Sequence, residues 1–481
     1  ADSVEWIVVL GLIRSTSSWR ISTLRHVNSA MMKTDDILYL VLLVSGIAIG
    51  YFIRKLQCKV QRQWISTLIG LCLTWYLCSW SIIWPVLSVL ANIVIINSFQ
   101  FCHFLNFVVS FFLLLLCRSS AVIGLTQENG FVNSIQMLLT LKMVGVAYEV
   151  HQSRLNKKTD DVEHKVHFTH VAPSTLDIIH YAFCYIGLVT GPYYKFKTYN
   201  DLYTADYSEH QSCTLMTLKR LAVVPLYVLL FLVSDYYFPL TNLEDPEIYY
   251  KWSFWYKIFY MSPVFFNFRM RLYTGFILSE CACMIQGLGA YPSHRKSKPG
   301  EGPTVPDNSN VKDEHKGEID FKTVYNIDVM GSEFKPTVRD GMRSWNITVQ
   351  YWLVVNVYKP LSGYPKALRT VATMLTSAVW HGIHSGYYLS LLTIPFILVV
   401  EDMVWNVIRK RLHAKALSIF DTLWLFLKMQ WYSYMSIAFL LLKIQPIINF
   451  WHSIGYIGHA IIVLLFCLCH SVSQSKAVKQ A

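Results

Sequence analysis

Residues 37–53 read ILYLVLLVSGIAIGYFI, seventeen consecutive residues without a charged side chain. A transmembrane α-helix needs about 20 mostly apolar residues, so this stretch is long enough to cross a bilayer. Comparable apolar runs recur at 64–79, 82–97, 99–117, 131–148, 178–194, 221–240, 254–279, 345–357, 367–381, 385–400, 422–442 and 447–470. Several contain Pro or a charge, and we expect those to be broken or re-entrant, with backbone buried in protein or lining a cavity. The pattern predicts an all-α polytopic membrane protein with about 10–12 transmembrane helices.

The composition agrees with a membrane protein. Of the 481 residues, 54% are hydrophobic and 15% charged, whereas soluble domains carry about 25% charged residues. The net charge of +12 comes from 42 basic and 30 acidic residues. Cytosolic loops of membrane proteins favour Lys and Arg, which explains this excess. Because the sequence shows neither zinc-finger spacing nor a basic stripe on a soluble module, we expect no nucleic-acid partner.

The eleven cysteines lie mostly within apolar runs and are typical of small buried hydrophobic residues. Two close pairs, Cys281 with Cys283 and Cys467 with Cys469, lack a second pair at the spacing of a zinc site. We therefore expect neither a metal nor a disulfide framework.

The chain divides into one membrane domain with polar additions. We predict that residues 1–31, which are basic and rich in Ser, are a non-native or additional N-terminal extension; a targeting peptide is the alternative. Residues 32–470 form the membrane domain. Within it, 292–318 contain four prolines and mixed charges, which predict a polar flexible loop. Residues 471–481 are expected to be a cytosolic tail.

Loop charges predict an orientation. Residues 54–62 and 409–415 are basic and contain no acid, which favours the cytosol. Residues 235–247 are acidic and contain no base, which favours the lumen.

Two polar residues interrupt apolar surroundings. Asn346 is the second residue of the nearly apolar segment 345–358, and His381 directly follows the apolar run 371–380. Asn346 also begins an Asn-Ile-Thr glycosylation sequon, although that use requires an exposed luminal loop. A hydrogen bond between helices is a further alternative for Asn346, and a lone His is more often a satisfied core residue. His384 could supply a second metal ligand one turn from His381, but zinc needs a third.

The pair together points to acyl-transfer chemistry. A neutral His can take a proton near pH 7, and an Asn amide can donate to a developing oxyanion. Because no Gly-x-Ser-x-Gly motif is present, a covalent acyl-serine step is not indicated. Direct attack of an alcohol on an activated acyl donor needs only the base and the oxyanion donor. His315 and Asp320 match the His-x-x-x-x-Asp pattern of soluble-type glycerolipid acyltransferases, but they adjoin a charged loop, where a chance match is easy.

These residues resemble the membrane-bound O-acyltransferase (MBOAT) family. The resemblance rests on DGMRSWN at 340–346, WHG at 380–382 and GYY at 386–388, and it extends over residues 32–470. Within the family it is strongest to the lysophosphatidylinositol acyltransferases, through LLTLK at 138–142, CYIG at 184–187, TGP at 190–192, PVFF at 263–266, FRMR at 268–271 and GLGAYP at 287–292. Ser385 departs from the family, in which this position often holds Pro; we expect a changed turn and unchanged chemistry.

The resemblance implies an MBOAT-type helical bundle enclosing a reaction chamber in the endoplasmic reticulum membrane. It implies that His381 is the base and Asn346 its partner. The reaction would move a polyunsaturated, arachidonoyl-type chain from acyl-CoA, a co-substrate, to the sn-2 hydroxyl of lysophosphatidylinositol, without a cofactor. Another lysophospholipid, a sterol or a protein is the alternative acceptor. A transporter is a less favoured function, because the sequence shows no internal repeat.

Basic residues in or beside apolar runs are candidates for phosphate recognition, with interfacial snorkelling or a structural ion pair as the alternative. For Lys142 the structural alternative is favoured. The candidate substrate-binding residues are Arg269, Arg271, Arg343, Trp345, Trp380, His384 and Tyr387.

Overall fold

The computed structural model describes residues 34–156, 171–205, 212–305 and 318–480. The predicted extension at 1–31 and the residue His315 lie outside these ranges.

The described chain is almost entirely helical. Its helices are α1 (Thr34–Arg54), α2 (Lys59–Cys78), α3 (Ile83–Ser98), α4 (Cys102–Arg118), α5 (Gly130–Asn156), α6 (Thr175–Phe183), α7 (Phe196–Thr204), α8 (Ser212–Leu221), α9 (Val224–Tyr237), α10 (Thr241–Glu244), α11 (Pro246–Tyr249), α12 (Phe254–Gln286), α13 (Val329–Phe334), α14 (Val338–Arg343), α15 (Ile347–Leu353), α16 (Lys366–His381), α17 (Ser385–Val407), α18 (Ala414–Leu441), α19 (Ile444–Ser453) and α20 (Ile457–Gln480). Two short antiparallel strands, β1 (Tyr291–Pro292) and β2 (Ile319–Asp320), pair Tyr291 with Asp320. The prediction of an all-α membrane protein is confirmed.

Five helical segments of the described chain are long and apolar enough to cross a membrane: 35–54, 59–98, 130–155, 212–244 and 385–411. Helices α19 and α20, which meet at a bend of 68°, make a sixth if they count as one span. These numbers rest on length and composition, so the count of ten to twelve spans stays a prediction.

Helix α12 is the centre of the bundle. It has 33 residues, which corresponds to a length of about 50 Å at 1.5 Å per residue. It packs against α1, α8, α9 and α18. One apolar core lies among the helices from α1 to α7, and a second joins α12 to the helices from α17 to α20. Because α12 contacts both halves, it holds in place the elements that carry the candidate site.

The apolar run at 178–194 is broken, as some runs were expected to be. Helix α6 ends at Phe183, and the backbone from Cys184 to Tyr194 is not helical. Almost all of this segment is buried inside the protein, where non-helical backbone is tolerated at membrane depth.

The predicted flexible loop at 292–318 is hydrogen-bonded over its described part, 292–305. The backbone N–H of Ser293 donates to Glu318, and that of Gly300 donates to Thr323, at 2.9 Å in each case. These bonds join the loop to the segment after it, a long-range contact that composition does not reveal, and the flexibility of the loop stays a prediction. The eleven cysteines are all free.

Candidate active site

Asn346 stands at the first position before α15, and its side chain does not cap that helix. Its backbone has φ 44° and ψ 50°, a left-handed conformation that Asn adopts more readily than most residues. Asn at this position normally caps the helix, but here the side chain makes no capping hydrogen bond. Asn326 replaces it: its Oδ1 accepts from the Thr348 N–H at 3.1 Å and from the Thr348 hydroxyl at 2.7 Å. The amide of Asn346 therefore has no hydrogen-bond partner among the described residues.

Trp345, one of the predicted binding residues, packs the start of α15 against α12. Its ring lies 5.7 Å from the ring of Tyr273 and 5.9 Å from that of Phe276, both on α12. Buried Thr348 disfavours the glycosylation alternative, because its hydroxyl is bonded to Asn326 and accepts from the N–H of Tyr193 at 3.0 Å. The sequon is thus folded into the bundle.

His381 is the last residue of α16 and is enclosed by aromatic rings. Its imidazole lies 4.9 Å from the ring of Trp380, 5.0 Å from that of Phe439 and 5.8 Å from that of Tyr387. It is partly buried and makes no hydrogen bond with the described residues. A core histidine would be expected to be hydrogen-bonded, so this imidazole differs from the structural alternative.

The glycines after His381 allow close packing. A Cβ atom at Gly382 would lie 2.6 Å from a ring carbon of Tyr387, and one at Gly386 would lie 2.1 Å from the backbone oxygen of Ala438. The Gly386 N–H donates to the carbonyl of Leu442 at 2.9 Å. The two glycines therefore let the Tyr387 ring and the end of α18 approach the His381 turn.

A cavity of about 550 Å³ opens between α1, α9 and α12 and reaches α17. Tyr387, which contacts His381, lines it, and so does Phe276, which contacts Trp345. Its wall is mainly apolar and carries the charged pair of Arg271 and Asp36. His381 is thus one contact away from the cavity wall, and Asn346 is the chain neighbour of Trp345, which is one contact away from the same wall.

The other predicted residues are divided between structure and surface. Trp380 is buried, and its indole N–H donates to the carbonyl of Met137 at 3.0 Å. Arg269 forms a buried ion pair with Glu333 at 2.7 Å. Arg343 is exposed and stands 3.6 Å from Asp340. His384 is exposed next to Tyr387.

Lys142 and Asp320 have structural surroundings. Lys142 is buried, and its Nζ donates to the carbonyl of Tyr181 at 3.2 Å. Asp320 lies in β2, where burial raises the pKa of its carboxyl.

In the described part of the chain, no group of three His, Cys, Asp or Glu side chains is close enough to hold a metal ion.

Sequence reasoning missed Asn326 and Arg118. Arg118 ends α4 and is 6% exposed, and its Nη1 donates to the carbonyl of Val379 at 3.1 Å, two residues before His381. At the end of an apolar run an Arg is typical of interfacial snorkelling, so no local signal marks its burial. Asn326 follows the polar loop and shows its role only through its contact with Thr348.

The fold and the site define a class of protein: a helical membrane protein with a mainly apolar cavity and with a His and an Asn whose side chains make no hydrogen bond with the described residues. The model of the membrane-bound O-acyltransferase family matches residues 74–445, and the chain belongs to this family.

Relatives match nearly the whole chain. Membrane-bound acylglycerophosphatidylinositol O-acyltransferase mboat7 of Danio rerio is 38% identical over 454 residues, which cover 92% of this chain and 94% of the relative. The protein of the same name in Mus musculus is 36% identical over 445 residues, with 91% and 93% covered. Membrane-bound acylglycerophosphatidylinositol O-acyltransferase frj of Drosophila melanogaster is 33% identical over 454 residues, with 89% and 90% covered.

Proposed function

We propose that the protein is an acyl-CoA:lysophosphatidylinositol O-acyltransferase that transfers a polyunsaturated, arachidonoyl-type chain to the sn-2 hydroxyl during phospholipid remodelling. The names of the relatives support the acceptor, since three of them at 33–38% identity are acylglycerophosphatidylinositol O-acyltransferases. Family membership supports acyl transfer within a membrane bundle.

One observation of the structure carries the proposal. The amide of Asn346 and the imidazole of His381 make no hydrogen bond with the described residues. His381 contacts Tyr387 of the cavity wall, and Asn346 directly follows Trp345, which contacts Phe276 of the same wall. Polar groups inside a membrane protein are expensive unless they are paired or functional. Groups left without partners beside a cavity are available to a substrate.

The mechanism follows from their chemistry. The imidazole of His381 takes the proton of the sn-2 hydroxyl while the hydroxyl oxygen attacks the thioester carbonyl carbon. The amide of Asn346 donates a hydrogen bond to the oxyanion that forms. When the carbon–sulfur bond breaks, the CoA thiolate takes the proton from the imidazolium. An ester replaces the thioester, CoA leaves as a free thiol, and His381 is neutral again.

The mainly apolar wall suits a lipid acceptor, because acyl chains are buried best against apolar side chains. We place the reaction in the endoplasmic reticulum membrane, with acyl-CoA arriving from the cytosolic side and no metal or cofactor taking part. Another lysophospholipid, a sterol or a protein acceptor is the alternative within the family.

The acceptor is tested with the full-length protein in membranes that lack related activity. Lysolipids with inositol, choline, serine, ethanolamine or no head group are offered with labelled arachidonoyl-CoA, and a sterol is included. We expect lysophosphatidylinositol to give the highest kcat/KM. A higher value for any other acceptor would refute the proposed head group, and the absence of transfer to all of them would refute the proposed activity.

A further inference from the structure

Arg118 is a buried cation without an anionic partner in the part of the chain that the structure describes. Its side chain donates one hydrogen bond, from Nη1 to the carbonyl of Val379 at 3.1 Å. It forms no ion pair with a carboxylate of the described residues, and its Nε and Nη2 make no hydrogen bond with them. An arginine has five N–H donors, and burying its charge unpaired is costly. Most of its donor capacity is therefore available.

Three other arginines beside apolar runs are already paired with carboxylates. Arg269 is paired with Glu333, and Arg220 with Glu280, both at 2.7 Å. Arg271 is paired with Asp36 in the cavity wall. A ligand phosphate that approached these groups would have to displace a carboxylate, whereas Arg118 offers its charge directly.

The guanidinium of Arg118 borders the His381 turn. Its Nη1 is 3.7 Å from the position that a Cβ would take at Gly382, and the ring of Tyr387 contacts the same position. Its charge is close enough to act electrostatically on His381 and on the phenol of Tyr387. A cation from α4, the candidate base and a residue of the cavity wall thus meet at the turn between α16 and α17.

We propose that Arg118 binds the phosphodiester of the lysophospholipid while the sn-2 hydroxyl of the same molecule meets His381. This inference rests on the proposed function. In a lysophospholipid only the C2–C3–O segment of glycerol separates the sn-2 oxygen from phosphorus, a distance of about 4–5 Å from ordinary bond lengths. A group that flanks His381 is therefore placed to hold the phosphate when the hydroxyl is in position to react.

The other phosphates of the reaction belong to CoA. The long pantetheine arm keeps the CoA diphosphate far from the thioester at the moment of transfer, so a residue beside the base does not reach it. A bidentate contact between guanidinium and phosphate is also directional. Arg118 thereby selects acceptors that carry a phosphate next to the reacting hydroxyl.

The alternative is a purely structural role, in which Arg118 only caps the C-terminus of α16, since a cation near a helix C-terminus is stabilising. Arg154 is a matched control for this alternative. It is partly buried, and it donates to the carbonyls of Phe99 and Ile96, beside the end of α3, at 2.8 and 2.7 Å.

The test compares full-length wild type, Arg118→Gln, Arg118→Lys and Arg154→Gln in lipid nanodiscs, with KM measured separately for the lysophospholipid and for acyl-CoA. Loss of a charge-assisted contact should raise the KM for lysophosphatidylinositol about 10- to 100-fold in Arg118→Gln. The KM for acyl-CoA should stay within about 2-fold, because CoA does not use this contact. Arg118→Lys should lie between the two, since it keeps the charge and loses the fork. Arg154→Gln should leave both KM values unchanged.

An unchanged KM for the lysophospholipid in Arg118→Gln, or a fall in kcat with both KM values unchanged, would overturn the proposal and favour the capping role. If Arg118→Gln does not fold, Arg118→Lys decides by the same comparison. If wild type acylates a different lysophospholipid, the proposed head group fails, while the KM of that acceptor still tests Arg118.

Discussion

Replacing Asn346 by Gly separates its chemistry from its backbone. At φ 44° and ψ 50°, an Ala would add about 1–2 kcal/mol of left-handed strain, whereas Gly adopts this region readily. The amide makes no hydrogen bond with the described residues, so the free energy of unfolding should change by less than about 0.5 kcal/mol. Loss of an oxyanion donor should raise the barrier by about 3 kcal/mol, which lowers kcat about 100- to 1000-fold.

The assay measures kcat at saturating acyl-CoA and lysophosphatidylinositol, together with thermal unfolding of the same preparation. Asn326→Ala is the matched control, because Asn326 caps the same helix, α15. It removes the acceptor of two buried Thr348 hydrogen bonds and should cost about 1–3 kcal/mol of stability. A Gly variant that keeps kcat within about 3-fold of wild type would refute the oxyanion role. A Gly variant as unstable as Asn326→Ala would show that the amide is structural.

Two further substitutions test the surroundings of the site. Gly382→Ala would bring Cβ to 2.6 Å from the ring of Tyr387, so the ring must move, which should cost about 1–3 kcal/mol of stability and lower kcat by displacing the His381 turn. The exposed control Gly363→Ala should change neither stability nor kcat. A Gly382→Ala variant with the kcat and melting temperature of wild type would contradict the observed packing. Glu333→Gln leaves the buried Arg269 without its anionic partner and should lower the free energy of unfolding by about 3 kcal/mol, as thermal unfolding measures. The KM for each substrate should stay unchanged. A large change in KM at normal stability would instead make Arg269 a binding residue.

Sequence patterns predicted the fold class because the membrane requires long apolar helices, and such helices are visible as runs. They predicted the break within 178–194 only in general terms. The buried turn there depends on neighbours that are distant in sequence, which no local pattern reveals. The pairing of β1 with β2 was missed for the same reason.

The candidate catalytic residues were visible because each is polar among apolar residues. That contrast singles out Asn346 and His381, but it gives no information about hydrogen bonding. The structure adds that Asn326 takes over the cap, so that the amide of Asn346 has no hydrogen-bond partner within the described ranges. Arg118 escaped notice because its burial depends on packing against the turn after α16, more than 250 residues away in the chain.

The central claim is that His381 is the base of acyl transfer, and His381→Ala tests it most directly. Because the imidazole makes no hydrogen bond with the described residues, the variant loses only packing against the surrounding rings and should still insert and fold. Its kcat should fall at least about 100-fold. Exposed His413→Ala serves as the control and should keep both properties. A folded His381→Ala variant that transfers acyl chains to lysophosphatidylinositol at the wild-type rate would contradict the claim.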